Sequence, residues 1–243
     1  MSEAAAVGFS SRCFSPADYR LAVLANQAHG GDALEIGCDD AGLLPYLEGE
    51  LPLLDLDGFE RVTVQAPRFT DDDERVTAER LGSLDLPLVV HADRVRDVDA
   101  WRGPGRRVMV GNTGGPDRFG SAAEHLDGIF RALPEAGFCL DVAHAFTAGG
   151  PDLVERFARR FGDRLEQLHV GRPDVPRRPD APRRPGGSLP DDPTLVGIAL
   201  GALGRQVPVI IRRPVPTAWT QELSRTVRVL REVVVGFPAA VPV

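Results

Sequence analysis

Lysine is absent from this chain: all 28 basic residues among its 243 are arginine. Chemistry that needs an ε-amine is thereby excluded, Schiff-base aldolase catalysis and the phosphate-gripping lysine of a nucleotide-binding loop among it. Cysteine is scarce, with Cys13, Cys38 and Cys139 far apart in apolar surroundings. An odd, scattered set of that kind reads as free buried thiols in a reducing compartment, not as a disulfide framework or a zinc ribbon. No apolar run approaches the roughly 18 residues of a membrane helix, and the first residues lack the basic-then-apolar profile of a secretory signal. No G-x-G-x-x-G follows a strand-like run and no G-x-S-x-G elbow occurs, which argues against a nucleotide cofactor and a serine hydrolase. Positive charge is also in deficit, at a net charge of -7 and a pI near 5.3, against a general grip on nucleic acid or an anionic membrane. The expectation is a cytoplasmic protein that touches neither membrane nor nucleic acid and handles a small molecule, with a partner protein left open.

What is present is a rhythm of short apolar runs separated by helical stretches, the pattern of a parallel sheet wrapped by helices. Strands are predicted at Val7 to Arg12, Ala33 to Ile36, Val62 to Gln65, Leu88 to His91, Val108 to Val110, Phe138 to Leu140, Gln167 to Val170 and Val209 to Ile211. Helices are predicted at Pro16 to Ala28, Ala41 to Glu48, Asp72 to Leu81, Ala122 to Leu133, Pro151 to Phe161, Thr194 to Leu203 and Ala218 to Val233, with only a helical turn from Val95 to Trp101. Eight strands alternating with helices predict an α/β protein, one TIM-like (β/α)8 barrel domain over residues 1–243, a length such barrels commonly have. Residues 172–193 break the rhythm with seven prolines and five arginines. Proline at that density excludes a helix, so this segment is predicted to be a loop over the C-terminal face, either solvent drift or a lid whose guanidinium groups meet an acidic ligand.

In a parallel barrel the loops at the carboxyl ends of the strands converge on one mouth, where the chemistry of such folds sits. Phe138-Cys139-Leu140-Asp141-Val142-Ala143-His144 delivers Asp-x-x-His at the sixth strand tip, and Leu168-His169 delivers a second imidazole at the seventh. Taken singly, Asp141 reads as a helix cap and each histidine as an ordinary polar position. Three such residues at successive tips point instead to a shared pocket. In strand order the tips offer Glu35, Gln65, His91, Gly111-Asn112, Asp141 with His144, His169 and Arg212. Glu35 is flanked by Leu34 and Ile36, which face the other way and send it into the barrel. Gly111-Asn112-Thr113-Gly114-Gly115 resembles a phosphate-cradling turn, but the signal is weak and the plain-turn reading is favoured.

These residues resemble the xylose isomerase-like TIM-barrel superfamily, which includes sugar isomerases and epimerases and endonuclease IV. The resemblance runs from Ala33 to about Pro214 and rests on Leu140-Asp141-x-x-His144 and Leu168-His169, with Val90-His91 in support. It implies a divalent cation held by a Glu, an Asp, a His and a Glu ending strands five to eight. Asp141 and His169 match the middle pair, whereas the two Glu positions hold Gly111 and Arg212. His91 and His144 match further ligands of the multi-metal members. Gln65 stands where those members have a histidine, and Asp180-Ala181-Pro182 stands where they have Asp-x-His.

The two replacements make the pocket more positive by about three charges, and a unit pair 4 Å apart interacts by about 4 kcal/mol at an effective dielectric near 20. An inward guanidinium would repel a divalent ion and pair with Asp141 or Glu35 in its place. The expectation is that no metal, or one weakly held Zn, Fe or Mn ion, occupies Asp141, His169, His144 and His91. Two functional readings follow. In one, the chain is an isomerase, epimerase or lyase acting on a small sugar-like or polyol substrate, with His91, Asp141, His144 and His169 as catalytic groups and Glu35, Gln65, Asn112 and Arg212 binding substrate. In the other, the barrel has kept its shape, lost its metal and become a binding module.

Overall fold

The computed structural model describes residues 6–14, 17–102, 108–115, 117–171, 192–213, 215 and 220–238. Eight parallel strands close into a barrel in chain order: β1 (Val7–Ser10), β2 (Ala33–Gly37), β3 (Arg61–Gln65), β4 (Leu88–His91), β5 (Val108–Gly111), β6 (Gly137–Asp141), β7 (Leu165–Val170) and β8 (Val209–Ile211). Around them lie α1 (Tyr19–Ala28), α2 (Leu44–Glu50), α3 (Glu74–Gly82), α4 (Ala123–Ala132), α5 (Val142–Arg160), α6 (Asp192–Leu203) and α7 (Gln221–Val235). The predicted (β/α)8 architecture is the observed one. Its fourth connection is reduced to 3-10 turns, of which Val98–Trp101 is the longer.

The strands read as apolar runs because both faces are covered. Outward residues such as Val7, Phe9, Leu34, Ile36, Val64, Val90, Val110, Leu140, Leu168 and Ile211 merge with the inner faces of the helices into one continuous core. Phe138 on β6 is packed against Phe157 and Phe161 at ring-centroid separations of 6.0 and 5.4 Å. Large aromatic contacts of this kind fix an element firmly, and β6 is the strand that ends in Asp141.

Element ends differ from the prediction where a side chain intervenes. Helix α1 begins at Tyr19 because Asp18 caps it, its carboxylate accepting from the Leu21 N–H at 3.0 Å. Gly204, at φ +76, closes α6 in the left-handed conformation expected of a C-terminal glycine. The largest difference is α5, predicted from Pro151 and observed from Val142. Two helical pieces meet at Gly149 and Gly150, whose backbone is non-helical, so the piece directly after β6 lies outside the predicted span. The Pro/Arg-rich segment lies outside the described residues over 172–191, and its last two residues, Asp192 and Pro193, open α6.

Candidate functional site

Alternate side chains of a strand face opposite sides, so the register identifies the inward rows. Glu35 aligns with Ser10 and Thr63 across the waist of the barrel. One step nearer the rim, His91 aligns with Gly111, and Asp141 with His169. Arg212 follows β8 and reaches into the space these rows enclose.

Arg212 is 11 % exposed and meets three of the predicted site residues. Its Nε lies 3.6 Å from Glu35 Oε1, its Nη1 lies 3.5 Å from Asp141 Oδ2, and the same Nη1 donates to His169 Nδ1 at 3.2 Å. Gly171 makes room for this: at φ +137 it abuts the Arg212 main chain, where a Cβ would fall 2.8 Å from the Arg212 carbonyl carbon. Buried charges persist only when paired, and here one cation faces two carboxylates.

Glu35 is fully buried. Burial by itself raises its carboxyl, but the close contact with His169 and the Arg212 and Arg12 guanidinium groups outweigh that and hold the pKa at about 2. His169 Nε2 stands 2.6 Å from Glu35 Oε2. Because Arg212 can only donate, His169 Nδ1 is the acceptor of that contact. Both nitrogens of His169 are therefore engaged inside the protein.

Asp141 satisfies the helix-cap and site readings at once. Its Oδ1 accepts from the His144 N–H at 2.8 Å and starts α5, while Oδ2 faces Arg212 and, at 3.4 Å, His144 Nδ1. Asn112, expected to bind substrate, is buried, and its amide bridges the Asp141 main chain, accepting at 2.7 Å and donating at 3.0 Å. It holds the tip of β6 in place instead of facing the mouth.

His91 and His144 form a second group, with ring centroids 6.1 Å apart. Gln65 Nε2 lies 2.7 Å from His91 Nε2. With that amide orientation the His91 proton is assigned to Nδ1, on the side of Gly111. Burial, then the positive field of Arg212 and of neighbouring histidines and Arg94, pushes His91 well below the usual imidazole range. The ring is neutral at physiological pH although it keeps partial access at the rim. Gly114 packs against His144, where a Cβ would fall 2.8 Å from the ring.

Cys139, beside Asp141 on β6, is inert as expected: burial first, then the charges of Glu35 and Asp141, raise its thiol well above the ordinary value. All three cysteines are free and buried. Sequence reasoning missed Gln167, whose amide nitrogen lies 2.9 Å from His169 Nε2. The signal was available, since Gln167 precedes His169 by two residues and so shares its inward face. Ser10 and Thr63 were missed too. Their buried hydroxyls have no hydrogen-bond partner among the described residues, which marks a polar waist.

As arranged, these donors do not fit a divalent cation. Both His169 nitrogens and both Asp141 oxygens are engaged, a guanidinium stands among the carboxylates, and no three His, Cys, Asp or Glu residues group as a metal set among the described residues.

No protein-family profile matches the chain, and no curated protein sequence matches it. Solved structures do. A D-tagatose 3-epimerase-like protein superposes with a TM-score of 0.66 at 19% identity, covering 95% of this chain and 98% of its own. Endonuclease IV from Thermus thermophilus gives 0.64 at 18%, covering 95% and 99%. An IolI protein solved with a binding zinc atom gives 0.59 at 15%, covering 97% and 100%. The chain thus shares its barrel fold with these proteins. No helix among the described residues is long and apolar enough to cross a membrane.

Proposed function

We propose that this chain is a metal-independent barrel that binds a small sugar-like or polyol molecule at the carboxyl ends of its strands. The observation that carries the reading is Arg212, whose guanidinium meets Glu35, Asp141 and His169 in the interior. A fixed cation in that position supplies positive charge to the pocket without a bound ion, and polarises an oxygen atom placed against it. The sugar-like class is supported by the fold shared with a D-tagatose 3-epimerase-like protein. The acidic overall charge disfavours nucleic acid as a partner.

A second reading, catalysis of an isomerase, epimerase or lyase reaction without metal, is favoured by His91. A neutral imidazole at the rim, oriented by Gln65, has the protonation state a general base requires. Purified protein separates the two readings. Metal analysis and titration with Mn²⁺, Zn²⁺ and Fe²⁺ would be combined with incubation with D-tagatose in D₂O, followed by NMR. The binding barrel takes up no stoichiometric metal and leaves the sugar protons unexchanged. Metal-free exchange of a sugar C–H would support the second reading, and one tightly held ion per chain would overturn both.

A further inference from the structure

Arginines crowd one side of the barrel mouth, on loops that hold one another in sequence. Arg12, after β1, places Nη2 2.7 Å from the Cys38 carbonyl oxygen and Nε 2.8 Å from Asp39 Oδ1. The Arg68 main chain, after β3, donates to the Asp39 carbonyl oxygen at 3.1 Å. Arg94, after β4, donates through Nη1 to the Pro67 carbonyl oxygen at 3.4 Å, and its guanidinium lies over the Phe69 ring, 5.9 Å from the centroid. Arg118, after β5, stands 3.9 Å from Asp93 Oδ2. Its loop rests on the turn after β4, where a Cβ on Gly120 would fall 2.5 Å from the Ala92 side chain. Asp39 thus meets Arg12 and Asp93 faces Arg118, while Asp40 accepts from the Gly42 N–H at 2.8 Å. Arg68 and Arg94 have no ion pair among the described residues, although Arg94 is partly buried.

A charge drawn partly out of water is costly unless a counter-charge reaches it. Burial lowers the pKa of the Arg94 guanidinium; Asp93 offsets part of this, and Arg68, Arg12 and Arg118 lower it further. Three neighbouring cations therefore act on Arg94 at once, and like charges gathered in this way favour an anion locally on a protein whose net charge is -7. We propose that this arc is a subsite for a phosphate group of the ligand, gripped by the Arg68 and Arg94 guanidinium groups with Arg118 at its edge. The ligand class is then a phosphate monoester of a sugar or polyol, in place of a neutral molecule. Such a group carries about two negative charges near neutrality, which suits the two arginines that no carboxylate meets. The planar forks of guanidinium groups match phosphate oxygens bidentately. His91 ends β4 and Arg94 stands on the turn that follows, so the subsite adjoins the mouth where the sugar-like part of the ligand is placed.

The inference rests on the binding reading, and one set of titrations keeps the two apart. Thermal melts of the full chain are followed with inorganic phosphate, and calorimetric titrations are run with D-tagatose 6-phosphate, with D-tagatose and with a short duplex DNA. Phosphate should raise the melting temperature of the parent. D-tagatose 6-phosphate should bind about ten-fold tighter than D-tagatose, a preference that fades with added salt. Arg94→Gln and Arg68→Gln should each lose both the phosphate-dependent rise and the preference. Arg68 is exposed, so its variant reads the subsite without disturbing the packing around Phe69. Arg159→Gln, at an exposed arginine of α5, removes the same charge elsewhere and should change neither property. No phosphate rise in the parent, a rise that survives in both Arg94→Gln and Arg68→Gln, or equal affinity for the two sugars would overturn the phosphate subsite and leave the binding barrel standing. A phosphate rise that needs Arg94 and Arg68, without binding of either sugar, would keep the subsite and overturn the sugar-like reading. Tighter binding of the duplex than of D-tagatose 6-phosphate would overturn both.

Discussion

Arg212 and Glu35 face each other inside the barrel, Nε to Oε1 at 3.6 Å, from strands that are not neighbours. The pair spans β1, whose inward Ser10 is too short to intervene. Its consequence is that removing the cation leaves two buried carboxylates without it, since Arg212 also meets Asp141. Arg212→Ala should leave Glu35 and Asp141 buried without their cation and destabilise the fold by about 3–5 kcal/mol, read by urea denaturation. Arg212→Lys should recover part of that loss, because it restores the charge but not the planar fork.

Glu35 should give a measurable acid limb. Its carboxyl titrates at about 2 in the fold against 4.5 as its ordinary value. A lowered pKa means the unfolded chain binds more protons as the medium acidifies. The stabilisation is therefore complete above about pH 5 and fades as pH falls toward 2. In Glu35→Gln, stability between pH 5 and 2 should decline less steeply than in the parent, by a difference on the order of a few kcal/mol over that window.

His91 acts near neutrality and with the opposite charge type. Its neutral form is favoured in the fold, so unfolding takes up a proton below the ordinary imidazole pKa of 6.5. Stability should be full above about pH 6.5 and decline as the pH drops below it. His91→Gln should flatten the melting temperature between pH 7 and pH 5, and NMR titration of the parent should show the His91 ring taking up its proton below the ordinary imidazole range.

Two glycines of the rim should respond in contrasting ways. Gly171→Ala places a methyl 2.8 Å from the Arg212 carbonyl carbon at a φ of +137, and should cost more than about 1 kcal/mol while displacing Arg212. Gly111→Ala meets nothing closer than 3.7 Å and should leave the melting temperature nearly unchanged. Thermal melts of the two variants together check the contrast.

The barrel was legible because inward and outward rows obey the strand period, and because runs such as Leu88 to His91 are apolar on the outward face that the helices cover. Glu35 was legible as an inward residue for the same reason, and Gln167 was legible in principle by its two-residue offset from His169. Of the first piece of α5 only the cap at Asp141 was legible; its extent was not, because its end depends on two glycines that look like an ordinary loop. Nor could sequence separate the uses of the two Asn112 amide atoms. A loop asparagine facing a ligand and one bridging a strand tip have the same spelling, and only the distance to the Asp141 main chain tells them apart.

On the proposed metal-independent reading, the Arg212 guanidinium among Glu35, Asp141 and His169 keeps a divalent cation out. Gly111→Glu and Arg212→Glu, made together and checked for fold by circular dichroism, test it most directly by Mn²⁺ titration against the parent protein. The parent is expected to show no saturable uptake and the double variant stoichiometric uptake. Stoichiometric uptake by the parent, or a folded double variant that binds no better, would contradict it.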